Sequence, residues 1–343
     1  MSMIKYFMPS ISDRGWLALV AILLLGGAAQ AQPKPLVVAT ASIFADMAQN
    51  IAGDELEIRS IVPIGGDPHI YEPTPGDARL VAGADLILRN GLTFEGWINK
   101  LIANSGTKAR TVTITEGIAP IQSTQYKNAT DPHAWMDASL GLRYLENIKN
   151  ALVDLYPDGA PVFEFNYEVY RQQLADMDRY IQEQILSIPE QQRILITSHD
   201  AFRYYGQRYG IRVEAVLGTS TDAEAQTSDI IRLSRIIQES GVPAIFVETT
   251  VNPRLIQQLA RDNKIRIGGN LYADSIGDAQ SPAPSYLDML QYNTDAIVAA
   301  LTLSDNTEPQ KPADSPGTTL IFGIISGVLL LGGFYLVFKK LNG

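Results

Sequence analysis

The sequence predicts an α/β protein of two lobes, each with a mostly parallel four-stranded sheet and flanking helices, bridged by one long helix and followed by a C-terminal transmembrane helix. Three observations carry that prediction. Short β-type apolar runs alternate with helical patterns in two separate stretches of chain, the arrangement that gives parallel sheets covered by helices. A long apolar stripe of helical period lies between the two stretches. A charge-free apolar run lies near the end of the sequence.

Residues 1–31 read as a secretory signal peptide. Lys5 and Arg14 precede the apolar stretch 16–27, and Ala29-Gln30-Ala31 places small residues where a signal peptidase cuts. Cysteine is absent, which excludes disulfides, thiolate metal sites and a lipid anchor on an N-terminal cysteine. Residues 320–338 are apolar, Gly or a single Ser, close to the roughly 20 residues that cross the hydrocarbon core as a helix. Lys339 and Lys340 follow and favour a cytoplasmic C-terminus. A membrane helix is therefore expected over 319–338. Residues 304–318, rich in Pro, Asp, Ser and Thr, are expected to form a flexible tether. The whole then reads as a single-pass cell-membrane protein whose folded part stands, as a monomer, on the extracytoplasmic (periplasmic) side. The formal charge of −10 argues against a nucleic-acid partner, which requires a basic surface.

The N-terminal lobe is expected over 35–155. Its strand candidates are 36–41, 57–62, 85–89 and 111–115, separated by helical patterns at 42–51, 76–83 and 94–102. The C-terminal lobe is expected over 190–303. Its strands are 193–197, 211–216, 244–248 and 264–267, and its helices are 201–208, 228–239, 253–261 and 286–301. No residue-level repeat relates the halves, so the symmetry is architectural. Between them Tyr167, Tyr170, Leu174, Met177, Ile181, Ile185 and Ile188 recur at intervals of three or four. With Pro161 and Pro189 as bounds, a linking helix over 161–189 reaches roughly 40 Å. Such a helix suits a spine between lobes better than a flexible hinge.

The chain has three histidines, each placed at a loop or strand end. His69 lies in Gly66-Asp67-Pro68-His69 after the second strand, and His133 in Asp131-Pro132-His133 just before a helix. His199 follows the strand that opens the second half, in Thr197-Ser198-His199-Asp200. Open parallel sheets bind ligands beyond the C-terminal ends of their strands, so the strand ends of both lobes could face one cleft. Proline restricts the backbone before two of the rings. Without cysteine, a fourth ligand should be a carboxylate. Asp274 and Glu248 each follow a strand of the second half, and spacing does not choose between them.

Six segments resemble the zinc and manganese substrate-binding proteins of bacterial ABC importers, the cluster A-I group that includes the streptococcal metal-binding adhesins. They are Gly66-Asp-Pro-His-Ile-Tyr-Glu-Pro-Thr-Pro75, Asn90-Gly-Leu-Thr-Phe-Glu-Gly-Trp97, Asp131-Pro-His-Ala-Trp-Met-Asp137, Thr197-Ser-His-Asp-Ala-Phe-Arg-Tyr-Tyr205, Phe246-Val-Glu-Thr249 and Leu271-Tyr-Ala-Asp-Ser-Ile-Gly277. They appear in family order and cover about 36–302. The resemblance implies His69, His133, His199 and Asp274 as metal ligands, and it leaves Glu248 a supporting residue. It also implies two α/β lobes on one long helix. The chain departs from many zinc-specific members in one respect: the stretch 121–129, between the first two ligands, carries no histidine.

The expected function is therefore that of a non-enzymatic receptor. It captures one divalent transition-metal ion and passes it to an ABC permease coupled to a cytoplasmic ATPase, with attachment to the membrane through the C-terminal helix. Imidazole-rich sites favour Zn²⁺, so His199 tilts the cargo towards zinc, with Mn²⁺ as the alternative. A metallohydrolase or a metal-stabilised adhesin are the competing classes. The first would need an open coordination position and a general base beside bound water.

Overall fold

The computed structural model describes residues 33–122, 130–222 and 225–302. In the N-terminal lobe, β1 (Leu36–Ala39), β2 (Glu57–Ser60), β3 (Leu86–Arg89) and β4 (Arg110–Thr113) form one parallel sheet of order β2-β1-β3-β4. Side chains alternate across a strand, and this alternation divides the core. Val37, Ala39, Leu86 and Leu88 face the main core, while Val38 and Ile87 face a smaller cluster with Val81, Ile98 and Leu101. Helix α1 (Ser42–Ala52) packs on the first face, and α2 (Pro75–Ala82) and α3 (Ile98–Ser105) supply the second. α2 starts where Thr74 and Asp77 form a reciprocal capping box ahead of Pro75.

Helix α4 (Ala138–Leu155) leads into the bridging helix α5 (Ala160–Leu186), 27 residues long and thus about 40 Å. Tyr170, Leu174, Ile181, Ile185 and Ile188 of the expected stripe are all buried. α5 packs on α1 and α4 and also on the last helix of the second lobe. One continuous hydrophobic core consequently runs through both lobes.

The second lobe comprises β5 (Ile194–Thr197), α6 (Arg203–Tyr209), β6 (Arg212–Ala215), α7 (Thr227–Ser240), β7 (Ala244–Glu248), α8 (Arg254–Asp262), β8 (Arg266–Leu271) and α9 (Tyr286–Thr302). Its strands are parallel, as expected, but they form two ladders, β5–β6 and β7–β8, rather than one four-stranded sheet. β5 and β7 are neighbours joined by side chains: Ser198 Oγ accepts from the Glu248 amide at 3.2 Å, and Glu248 Oε1 accepts from the His199 amide at 2.8 Å. β8 runs further than the sequence suggests, to Leu271. The register shifts between Ile245 and Phe246, so that Gly268 is the extra residue of a bulge. A side chain on Gly268 would strike Phe246 and Ala300, each 2.7 Å from its Cβ position. The glycine pair thus makes room for α9 against the strand instead of ending it.

The expectation of a membrane-spanning helix is corrected. Among the described residues no helix is long and apolar enough to cross a membrane. The two longest, α4 and α5, carry charged residues such as Arg143, Glu168 and Arg179 on exposed faces, and each buries only one side. Over the described residues the architecture is the two-lobed fold and its bridging helix, with no transmembrane helix among them. The segments expected to be a signal peptide (1–31), a tether (304–318) and a membrane span (319–338) lie outside the described residues.

Candidate metal centre

The C-terminal strand ends of the two lobes meet, and the four sequence-predicted residues meet with them. His69 stands on the loop from β2 to α2, and His133 at the head of a short turn before α4. His199 follows β5, and Asp274 follows β8. Their ligating atoms all lie within 4.8 Å of one another. His133 Nε2 is 3.2 Å from His69 Nε2 and 3.3 Å from His199 Nε2. Asp274 Oδ1 is 3.3 Å from His133 Nε2 and 3.9 Å from His69 Nε2, and Asp274 Oδ2 is 3.3 Å from His199 Nε2. A tetrahedron's edge is about 1.6 times its centre-to-vertex distance. Edges of 3.2 to 3.9 Å correspond to a point about 2.0–2.4 Å from the donors, a range whose lower end is the bond length of an imidazole-bound zinc ion.

Local chemistry holds each donor in place. Asp131 Oδ1 accepts from the His133 amide at 3.0 Å and faces His133 Nδ1 at 2.8 Å, which leaves Nε2 free for a cation. Behind His199, Glu248 Oε2 lies 2.5 Å from Nδ1. That contact has the distance of an ion pair but not the alignment of a hydrogen bond, since neither atom has a hydrogen-bond partner. Glu248 thus supports His199 from the side away from the cluster, whereas Asp274 enters the cluster itself. Asp67 Oδ1 accepts from the His69 amide at 2.9 Å, and Asp67 Oδ2 accepts from Thr221 across the cleft at 2.6 Å. The His69 ring stands edge-on to Phe94, with centroids 4.9 Å apart.

A frame that motif spacing does not reveal lies beneath these loops. The buried Glu95 carboxylate accepts from Thr40 Oγ1 (2.5 Å), the Asn90 amide (2.7 Å) and the Gly91 amide (3.1 Å). Asn90 in turn donates to the Pro132 carbonyl at 3.0 Å and accepts from Tyr144 at 2.8 Å. Leu92 and Thr93 are held at positive φ, 51° and 67°, the left-handed region that non-glycine residues seldom adopt. The Asn90–Trp97 motif is therefore scaffold for the His69 and His133 loops. The family resemblance marks this segment in the sequence, but not its supporting role. Across the lobes, Trp135 Nε1 donates to the Ala273 carbonyl at 2.9 Å, and Tyr286 Oη donates to the Trp135 carbonyl at 2.5 Å. His133 and Asp274 are thereby locked to each other through their neighbours in sequence.

The four groups shift one another's titration. Burial pushes His69 down to about 3, only partly offset by Asp274, so its ring is neutral at physiological pH. Burial also works to lower His133, but Asp131 and Asp274 overcome it and raise the group to about 9. For His199, burial is likewise overcome, by Glu248 and Asp274, and the group titrates well above its ordinary value. Burial would raise Asp274, yet His199, His133 and His69 hold it well below the usual carboxylate range. Asp274 Oδ1 is buried with no hydrogen-bond partner, as are Asp131 Oδ2 and Glu248 Oε2. Of these, Asp274 Oδ1 alone lies in the cluster, and an acceptor without a donor beside three ring nitrogens fits a bound divalent ion.

Fold and site together define a two-lobed receptor for a metal ion, with the ion's place in the gap between the lobes. The sequence matches the family described as "Zinc-uptake complex component A periplasmic" over residues 37–300, and the chain belongs to that family of metal-binding components of bacterial ABC importers. The Manganese-binding lipoprotein MntA of Halalkalibacterium halodurans is 36% identical over 267 residues, covering 78% of this chain and 88% of that protein. The Zinc-binding protein TroA of Treponema pallidum is 35% identical over 279 residues, 80% of this chain and 91% of that one. Its solved structure superposes with a TM-score of 0.75 at 34% identity, covering 79% of this chain and all of that one. The Mn-bound periplasmic metal binding protein of Candidatus Liberibacter asiaticus gives a TM-score of 0.72 at 30% identity, over 78% and 100% of the two chains.

The protein is thus the extracytoplasmic divalent-metal-binding component of an ABC importer, a binding protein and not an enzyme. The expected attachment to the membrane through a C-terminal helix is withdrawn, both as a partner interaction and as a single-pass location. What the family match supports is an extracytoplasmic metal-binding domain.

Proposed function

We propose that this chain holds one Mn²⁺ ion through His69, His133, His199 and Asp274 and delivers it to the permease of its importer. Three imidazoles first point to zinc, and zinc should bind the same donors tightly in vitro, because affinity rises from Mn²⁺ to Zn²⁺ at most nitrogen and oxygen sites. The observation that carries manganese is the attitude of Asp274. Both of its oxygens lie within 3.3 Å of a ligand nitrogen, so the carboxylate can offer two oxygens beside three nitrogens. That set of five donors suits Mn²⁺, which tolerates oxygen-rich and expanded coordination. The names of the relatives are divided: MntA is called manganese-binding and the Liberibacter structure is Mn-bound, while TroA is called zinc-binding. The histidine-free stretch 121–129 points towards manganese.

The test is metal content after native purification, combined with metal uptake by cells that carry or lack the gene. Manganese in the purified protein and loss of manganese uptake are expected. Loss of zinc uptake alone, with manganese uptake intact, would reject the cargo assignment while leaving the metal site standing.

A further inference from the structure

We infer that Thr250, which supplies no bond to the ion, sets the site's preference between metals by holding the second oxygen of Asp274 towards the cluster. The inference rests on the manganese reading above. The two oxygens of Asp274 have different surroundings. Oδ1 is buried, has no hydrogen-bond partner and lies nearest His133 and His69. Its only task is coordination. Oδ2 is 3.3 Å from His199 Nε2 on one side and accepts from Thr250 Oγ1, also at 3.3 Å, on the other.

A carboxylate oxygen has two lone-pair directions. The one facing the histidines is available to an ion, and the one facing Thr250 receives the hydroxyl proton. Thr250 therefore opposes rotation of the carboxylate about its Cβ–Cγ bond, the motion that would carry Oδ2 out of bonding range. Among the described residues it is the one non-histidine side chain within hydrogen-bond distance of that carboxylate.

Its position is apt for this task. Thr250 follows β7 and lines a groove of about 360 Å³ between the lobes, together with Asp67, Ile70, Thr221 and Arg254. Thr250 is half-buried, whereas Asp274, His133 and His199 are fully buried. Glu248, two residues earlier, fixes His199. One short segment thus orients two of the four donors. An ion content with four donors needs only Oδ1 and is indifferent to Oδ2. An ion that takes five gains from an Oδ2 already in place, because outer hydrogen bonds that orient a ligand typically change metal affinity 10- to 100-fold.

The experiment compares wild type, Thr250→Val and Thr250→Ser by competition titration with Mn²⁺ and with Zn²⁺, and records the visible spectrum of each protein loaded with Co²⁺. Valine keeps the shape and removes the hydroxyl, and serine restores it. For Thr250→Val the expected result is a loss of about tenfold in Mn²⁺ affinity with Zn²⁺ affinity changed less than about threefold, so that the ratio shifts towards zinc. The Co²⁺ bands should become more intense, as for four-coordination, and Thr250→Ser should return both readouts to wild type. Equal losses for the two metals, an unchanged ratio, or a serine variant resembling valine would overturn the inference. A wild-type protein that gains no manganese in cells would instead count against the cargo assignment, and the ratio measured in vitro keeps the two failures apart.

Discussion

Replacing Glu248 with Gln separates a supporting carboxylate from a ligand. Glu248 Oε1 receives the His199 amide proton at 2.8 Å, and Oε2 sits 2.5 Å from His199 Nδ1. In Glu248→Gln the carbonyl oxygen can keep the first contact, which turns the new amide NH₂ towards Nδ1. Two donors cannot share that contact, so the imidazole is driven to carry its proton on Nε2, the nitrogen that must bind the ion. Metal binding then has to reverse the tautomer and proceeds without the carboxylate that made the ring a better donor. Losses of this kind run to about 10- to 100-fold in affinity, or about 1.4–2.7 kcal/mol. His199→Ala removes a donor altogether and opens a cavity in a fully buried cluster, so its loss should exceed that of Glu248→Gln by at least about tenfold, beyond the range of a supporting contact. The assay is competition against a chromophoric chelator with Mn²⁺ and Zn²⁺, with circular dichroism to verify that both variants fold. Equal losses for the two variants, or none for Glu248→Gln, would refute the division of roles between Glu248 and Asp274.

Three further outcomes follow from the same geometry. His133 is raised to about 9 and must lose its proton to bind an ion, so affinity should keep rising as pH increases through 7 to 9, and binding at pH 7 should release at least one proton to the buffer; a profile already flat above pH 7 would contradict this. Asp46, pushed up to about 6 chiefly by burial, holds its proton more tightly folded than unfolded, so stability falls as pH rises from about 4 to 6. Asp46→Asn should remove that slope and gain up to about 3 kcal/mol at pH 7, provided the Asn oxygen keeps accepting the Tyr286 amide; a urea-unfolding difference from wild type that is the same at pH 4.5 and 7.5 would dismiss the idea. The amides of Gly65 and Ile276 donate to Ser275 and Ser42 across the lobes, so their hydrogen exchange should slow together when metal is added, and independent responses would show that the lobes do not open as units.

Much of this was legible because the chemistry is sparse. Only three histidines exist, and a repeated Asp-Pro-His element fixes two of them on rigid loops. The strand-helix alternation and the stripe from Tyr167 to Ile188 give the lobes and the bridge without help. Asp274 and Glu248 are a different matter. Both follow strands of one lobe, and they differ in which face of His199 they meet, Nε2 or Nδ1. That distinction exists only once β7 and β8 are placed side by side, which is why the family resemblance decided it and spacing did not. Asn90 and Glu95 lie in a segment the resemblance marks, but their role was not legible for a similar reason, since their partners Thr40, Pro132 and Tyr144 are distant in sequence. The end of β8 is misjudged because Gly268 and Gly269 resemble a turn, whereas the small size of Gly268 serves contact with α9. The apolar run 320–338 shows how far composition reaches: it meets the length rule for a span, but among the described residues no helix is long and apolar enough to cross a membrane.

The way the lobes are joined bears on how cargo leaves. Lobe separation wide enough to free the ion must part His69 and His133 from His199 and Asp274. Five of the contacts beside those donors are Trp135 to Ala273, Tyr286 to Trp135, Gly65 to Ser275, Ser42 to Ser275 and Ile276 to Ser42. At about 1 kcal/mol net for each hydrogen bond, breaking them costs about 5 kcal/mol before any metal bond is lost. A cost of that size keeps the open form near one molecule in several thousand, and the common core around α5 adds to it. Spontaneous opening is therefore a poor route for release on a transport timescale. A permease that grips both lobes and stabilises their separated arrangement can supply the difference, because a ligand shifts such an equilibrium by its preference for one state over the other. The same contacts that make the receptor retentive thus make release dependent on docking.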